Sequence, residues 1–148
     1  MIFDESSVGF LITDVSRLLR RAFQRRMAEG ELTLAQSRAL VYIARHPGIR
    51  QVELADLLEV QPITLARLVD QLELLELVER RADPRDRRAY QLFILEKANN
   101  YLEHIQKVIC EMRDEAFKGM TEEEKKIMCS ALEKTRNNLS VKGRKYDR

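Results

Sequence analysis

One stretch of this chain cannot belong to a helix-faced pattern. Two short apolar runs, Leu77–Arg81 and Tyr90–Leu95, flank the charged segment Asp83-Pro84-Arg85-Asp86-Arg87-Arg88. Two strand-like runs around a proline-containing turn predict a β-hairpin, and every other apolar run in the chain must be arranged around it. Hairpin turns ordinarily draw on Gly, Asn, Asp and Pro. Here three arginines in four positions, Arg85, Arg87 and Arg88, replace part of that turn chemistry with cations. Taken alone they read as solvated side chains paired with Asp83, Asp86 and Glu79, because charged runs on loops are common.

On either side of the hairpin the spacing is helical. Val8, Leu11, Ile12, Val15, Leu18, Leu19, Ala22 and Phe23 predict one long amphipathic helix from about Ser6 to Ala28, ending at Gly30. Thr33 with Gln36 forms a capping-box pair that opens a second helix, closed by His46-Pro47-Gly48. A third helix is expected over Gln51–Leu58. A fourth runs from about Pro62 to Leu75, with Leu65, Leu68, Val69, Leu72 and Leu75 turned to the core and proline in the tolerated first turn. From Lys97 the stripe Ala98, Tyr101, Leu102, Ile105, Val108, Ile109, Met112 and Ala116 approaches heptad spacing, which calls for a helical partner. Gly119 ends it. Thr121 with Glu124 opens a last helix carrying Ile127, Met128, Ala131, Leu132 and Leu139.

The expected fold is therefore mainly α with a small β-hairpin wing: a winged helix-turn-helix flanked by N- and C-terminal dimerisation helices. The 148 residues fit one domain. Residues 32–95 form its winged helix-turn-helix region, 1–30 and 96–140 a helical dimerisation region, and 141–148 a polar tail expected to fray. The terminal helices carry apolar faces larger than one such domain needs. Leu11, Val15, Ile105, Ile109, Met112 and Leu132 are accordingly expected to pair with a second copy.

In a helix-turn-helix the first helix supports and the second enters the DNA major groove. Glu53–Glu73 has that build: a small Ala55 where the helices pack, a tight connection near Glu59–Gln61, and a second helix with an apolar and a polar side. Helical rotation turns Ile63, Thr64, Arg67 and Gln71 outward. Arg67 is suited to bidentate contact with guanine, while Gln61 and Thr64 lie near a helix start whose free amides favour an anion. Jointly with the arginines of the hairpin, this points to double-stranded DNA. Net charge does not, because 26 Lys plus Arg stand against 24 Asp plus Glu, and from Gln61 to Tyr90 six arginines meet six acids. Phosphate attraction must then come from placement of the cations and not from a bulk field.

Leu72-Glu73, Leu77-Val78-Glu79-Arg80, Asp86-Arg87-Arg88-Ala89 and Glu96-Lys97-Ala98 together resemble the MarR-type (multiple antibiotic resistance regulator) winged helix-turn-helix family, closest to its SlyA-like branch. The resemblance implies an obligate homodimer on a pseudo-palindromic operator. It further implies transcriptional regulation, usually repression relieved by a small aromatic compound. Carried over by position, Arg88 resembles the wing arginine that enters the minor groove, Asp86 the acid that orders the wing, Arg87 a neighbouring contact and Arg67 a recognition-helix contact. Arg85 is expected to touch phosphate. Two positions depart from the family pattern: Glu76 stands where glycine usually ends the recognition helix, and Leu95-Glu96 where Leu-Thr opens the next helix.

No nucleophile–base set, Gly-rich phosphate loop or metal-ligand spacing is visible, so neither enzyme activity, cofactor nor metal is expected. Cys110 and Cys129 read as small core residues, and His46 as a helix-end cap. With no signal-peptide pattern and no membrane-length apolar run, a cytoplasmic location is expected and no membrane association. The rival reading is an interaction module of the same fold, for a ligand or a protein, without specific DNA binding.

Overall fold

A computed structural model of the chain describes residue 4, residues 7–28 and residues 30–140. The expected start of the first helix at Ser6 and the tail 141–148 lie outside the described residues. In chain order the elements are α1 (Val8–Met27), α2 (Leu34–Arg45), β1 (Ile49–Arg50), α3 (Gln51–Leu57), α4 (Pro62–Leu74), β2 (Val78–Asp83), β3 (Asp86–Ile94), a 3₁₀ turn (Glu96–Ala98), α5 (Asn99–Ala116) and α6 (Glu122–Leu139). The fold is mainly helical, with one three-stranded antiparallel sheet in the order β1-β3-β2.

Both capping boxes form. The Gln36 amide donates to Thr33 Oγ1 at 3.1 Å and the Thr33 amide to Gln36 Oε1 at 2.9 Å. The Glu124 amide donates likewise to Thr121 Oγ1 at 3.1 Å, and the Thr121 amide to Glu124 Oε2 at 2.7 Å. Each box satisfies two amides that a helix start leaves without a partner.

Two helices end on glutamates in the left-handed region, Glu59 at φ 54° and Glu76 at φ 59°. After α4 the Leu77 amide reaches back to Leu72 O at 3.0 Å and the Glu76 amide to Glu73 O at 2.9 Å; after α3 the Val60 amide reaches Ala55 O at 3.0 Å and the Glu59 amide Asp56 O at 3.1 Å. Both turns are Schellman motifs, which glycine usually serves because it lacks the Cβ that crowds this conformation. Glu76 therefore makes the turn at the position where the resemblance implies glycine, and leads directly into β2.

The core gathers Leu40, Ile43, Ile49, Leu54, Leu65, Val69, Leu72, Leu77 and Leu92, all with no exposed area. Against expectation, Leu75 is 38% exposed and Leu68 only half-buried, because α4 stops at Leu74 and the Glu76 turn swings Leu77 into the core in place of Leu75. The short strand β1 was not expected: its two residues follow Gly48 and carry no alternation of their own. It exists because it pairs with β3, Ile49 opposite Leu92 and Arg50 opposite Gln91. The hairpin strands are also longer toward the tip than the apolar runs suggest. Ladder pairing reaches Ala82–Tyr90 and resumes at Asp83–Asp86 after an irregularity that leaves Arg87, Arg88 and Ala89 of β3 without cross-strand partners, so the connection is only Pro84-Arg85. Arg87 and Arg88 thus belong to a strand. Charged residues on an exposed ribbon give no apolar alternation, so the apolar runs understate the strand lengths.

At the helical end, Arg26 of α1 pairs with Glu115 of α5. Only Met27 of α1 is buried, and α6 buries no residue at all.

Candidate nucleic-acid interface

Leu65, Val69 and Leu72 anchor one face of α4 in the core with no exposed area. The opposite face follows from the 3.6-residue period: Gln61, Pro62, Ile63, Thr64, Arg67, Asp70, Gln71 and Leu74 are exposed. Gln61 is the N-cap and Pro62 the first helical residue. Of the expected contacts on this helix, Gln61, Thr64 and Arg67 are open, and the Arg67 guanidinium has no ion pair among the described residues. Gln71 is exposed too, yet its Oε1 accepts from Gln36 Nε2 at 3.1 Å. A glutamine reading adenine needs both amide atoms, so this bond to α2 stands against such a use of Gln71.

The hairpin carries five arginines between Arg80 and Arg88, and the fold sorts them into two groups. Arg80 is turned inward, its side chain 17% exposed. Its Nε donates to Gln51 Oε1 at 2.8 Å, its Nη2 to Ala66 O at 2.9 Å, and its Nη1 to Asp70 Oδ1 at 2.7 Å and to Glu73. One planar fork thereby ties β2 to both helices of the helix-turn-helix, a task for which guanidinium geometry is suited. Arg81 pairs with Glu79 and lies over the Phe93 ring at 4.1 Å. Arg85, Arg87 and Arg88 are exposed, and their guanidinium groups have no ion pair among the described residues.

The acids divide in a complementary way. Asp70 and Glu73 pair with Arg80, Glu79 with Arg81, Glu76 with Lys97, and Asp83 with Arg50. Of the six acids that balance the six arginines over Gln61–Tyr90, only Asp86 has no ion pair among the described residues. A segment neutral in sequence therefore presents four unpaired cations, Arg67, Arg85, Arg87 and Arg88, against the single unpaired acid Asp86 among the described residues. Local placement of this kind is what phosphate binding requires.

Asp83 orders the tip. It is 2% exposed, takes the Arg50 Nε at 2.6 Å and accepts the Arg85 amide at 2.8 Å. The Arg85 amide chiefly, with help from the Arg50 hydrogen bond and charge and against the opposing effect of burial, holds the Asp83 carboxyl below its ordinary value. Asp86, expected to order the wing, makes a smaller local contact: it accepts the Arg88 amide at 3.0 Å and remains exposed. Asp83, Arg50 and Arg80 were absent from the expected site. An aspartate just before Pro84 is a turn-opening signal that could have singled out Asp83. Nothing local marks Arg50, 33 residues upstream. Arg87 and Arg88 lie where the ladder is irregular, between the Asp83–Asp86 and Ala82–Tyr90 pairs, and both are exposed.

The expected pairing residues separate likewise. Leu11 (51%), Val15 (53%), Leu132 (45%) and Ile109 (38%) are exposed. Ile105 and Met112 are not: at 1% and 8% exposed they lie in the chain's own core cluster and have almost no area left to bury against a second copy. A heptad-like stripe cannot tell these two outcomes apart, since α5 packs one flank on α1 and leaves the other open. Leu11, Ile12, Val15, Leu19, Met128 and Leu132 also line a cavity of about 560 Å³, together with Arg20 and Arg38. Cys129, expected in the core, is exposed on α6, where no residue is buried, and Cys110 is half-buried. Among the described residues, no helix is long and apolar enough to cross a membrane and no cluster of ligating side chains could hold a metal ion.

Residues 32–90 match the sequence pattern of the MarR family. The chain is 29% identical over 109 residues to the uncharacterized HTH-type transcriptional regulator YybA of Bacillus subtilis (strain 168), covering 74% of this chain and 73% of that one. It is similar to a crystal structure of MarR, with 31% identity, a TM-score of 0.79 and coverage of 92% of this chain and 93% of that one. A putative MarR family transcriptional regulator from Listeria monocytogenes, solved in complex with 26mer DNA, superposes with a TM-score of 0.77 at 26% identity over 90% of this chain and 89% of that one.

Proposed function

The chain belongs to the MarR family and is a transcriptional regulator, not an enzyme, and from that premise we propose that it acts as a homodimeric repressor on a pseudo-palindromic operator. The two α4 helices enter successive major grooves, and the hairpins reach the flanking minor grooves. Arg67 reads a guanine, Arg88 enters the minor groove, and Arg85 and Arg87 contact the backbone. The observation that carries this reading is the sorting of charge: Arg67, Arg85, Arg87 and Arg88, on one helix face and one hairpin, have no ion pair among the described residues, while five of the six neighbouring acids are paired and Asp86 alone is not.

The second copy is proposed to cover the exposed apolar faces of α1 and α6, through Leu11, Val15, Ile109 and Leu132. Left bare, they would form an apolar surface unusual for a monomer. Residues 32–95 would then bind DNA, with 1–30 and 96–140 joining the copies. A small aromatic effector in the cavity between α1, α2 and α6 would bind where the two copies meet, and so bias the spacing of the α4 helices. The protein is proposed to work in the cytoplasm, where its DNA is.

Footprinting on duplexes selected from the source genome tests the reading. A protected inverted repeat with half-sites about one helical turn apart is expected. The Arg88→Ala variant should lose operator affinity with its oligomeric state intact. Uniformly weak binding to all duplexes would overturn the reading in favour of a non-DNA interaction module.

A further inference from the structure

The surface of α4 open to a ligand is shorter than the helix itself. Beyond Arg67 the polar positions are engaged inside the chain: Asp70 and Glu73 by Arg80, and Gln71 by Gln36. At the N-terminal end the open face is Gln61, Pro62, Ile63, Thr64 and Arg67, about a turn and a half, while Leu74 is exposed at the far end, where the helix runs into the Glu76 turn. Within it Ile63 is out of place as a solvent-facing residue. It is 62% exposed and belongs neither to the buried cluster nor to the apolar side chains packed on it. A β-branched residue is also a weaker helix former than the polar residues that suit an exposed face. Its χ1 stiffness holds the two branches in a fixed direction, which presents a small rigid apolar surface beside two hydrogen-bonding neighbours.

On the floor of a major groove one apolar group is available to such a surface, the C5-methyl of thymine. We propose that Ile63 makes the sequence choice at one position of each half-site by covering a thymine methyl. It does so within one or two base pairs of the guanine contacted by Arg67. That spacing follows from geometry: residues four apart on a helix lie about 5–6 Å from each other, and base pairs rise about 3.4 Å. The inference rests on the proposed DNA binding and adds to it a specificity residue that donates and accepts no hydrogen bond.

Uracil in place of thymine removes the methyl and leaves every hydrogen-bonding group in place. An operator is first selected from random duplexes with the full-length protein, and each thymine is then replaced singly by uracil. Wild-type affinity should fall about fourfold per half-site at one thymine position, as for one methyl group's loss from an apolar contact. Ile63→Ala should bind the thymine and uracil duplexes alike at that position, whereas Ile63→Val should keep most of the discrimination. Indifference of the wild type to uracil at every position, or unchanged discrimination in Ile63→Ala, would overturn the proposal. So would a sensitive thymine more than two base pairs from the guanine whose effect depends on Arg67. If selection enriches no sequence at all, the DNA-binding reading itself has failed; enrichment without uracil sensitivity sinks only the role of Ile63.

Discussion

Replacing Glu76 by glycine should stabilise this protein although it removes a side chain and adds no contact. Glu76 holds φ at 59° in the turn from α4 to β2, a conformation that costs a residue with a Cβ roughly 1–2 kcal/mol. Glycine removes that cost but gives the unfolded chain more freedom, worth about 0.4–1 kcal/mol in the opposite direction. The lost Glu76–Lys97 contact, at 3.3 Å between side chains 76% and 55% exposed, offsets only a few tenths of a kcal/mol more. The net gain is about 0.5 kcal/mol, or about 1–2 °C in Tm for a chain of this length. Thermal unfolding at matched protein concentration measures it, with Glu76→Ala as the control. Alanine keeps the Cβ and hence the crowding, so it should gain nothing, and Glu59→Gly, at φ 54°, should repeat the glycine result. Since the two backbone bonds of the turn do not involve the side chain, operator affinity should stay unchanged. A Glu76→Gly protein no more stable than Glu76→Ala would refute the claim that backbone crowding dominates here.

Arg80→Met should lower stability by about 1–3 kcal/mol and weaken operator binding, with the salt dependence of binding unaltered, because its donors face inward. A slope reduced by about one would instead identify Arg80 as a phosphate contact. Ile109→Asp should leave the monomer folded by circular dichroism but shift sedimentation from dimer to monomer. Ile105→Asp, at a position 1% exposed, should cost more than about 4 kcal/mol and unfold the chain; a folded monomer from that variant would refute its core assignment. Asp83 is held below its ordinary value of 3.8, so the stability it contributes is complete above that value and is lost as pH falls through the lower folded one. The difference in stability between wild type and Asp83→Asn should accordingly shrink as pH drops below about 4, and a difference that stayed constant to pH 3 would be inconsistent with that linkage.

Much of the architecture is local and therefore legible along the chain. The capping boxes at Thr33 and Thr121 and the proline at the start of α4 act within a turn or two and appear at their expected places, whereas apolar spacing located the helices but misplaced Leu75 of the α4 pattern, which is exposed. The hairpin was visible from its turn, though not its full length, because Arg87 and Arg88 sit on an exposed ribbon that no apolar alternation marks. Strand β1 was invisible for a related reason. Two residues carry no periodicity, and their strand character comes from Leu92 and Gln91 across the sheet.

The composition of the hairpin and α4 states that arginines and acids are present in equal number, and no reading of order along the chain could say which would cancel. That choice is made by partners distant in sequence: Arg50 reaches Asp83, Gln51 and Ala66 help turn Arg80 inward, and Lys97 takes Glu76. The same holds for the α5 stripe, where packing against α1 buries Ile105 and leaves Ile109 open. Periodicity and capping depend on neighbours three or four residues apart, and so the chain alone dictates helices, turns and the hairpin. Charge compensation and burial depend on atoms within a few ångströms in space, and only the folded packing decides which four arginines are left without an ion pair among the described residues.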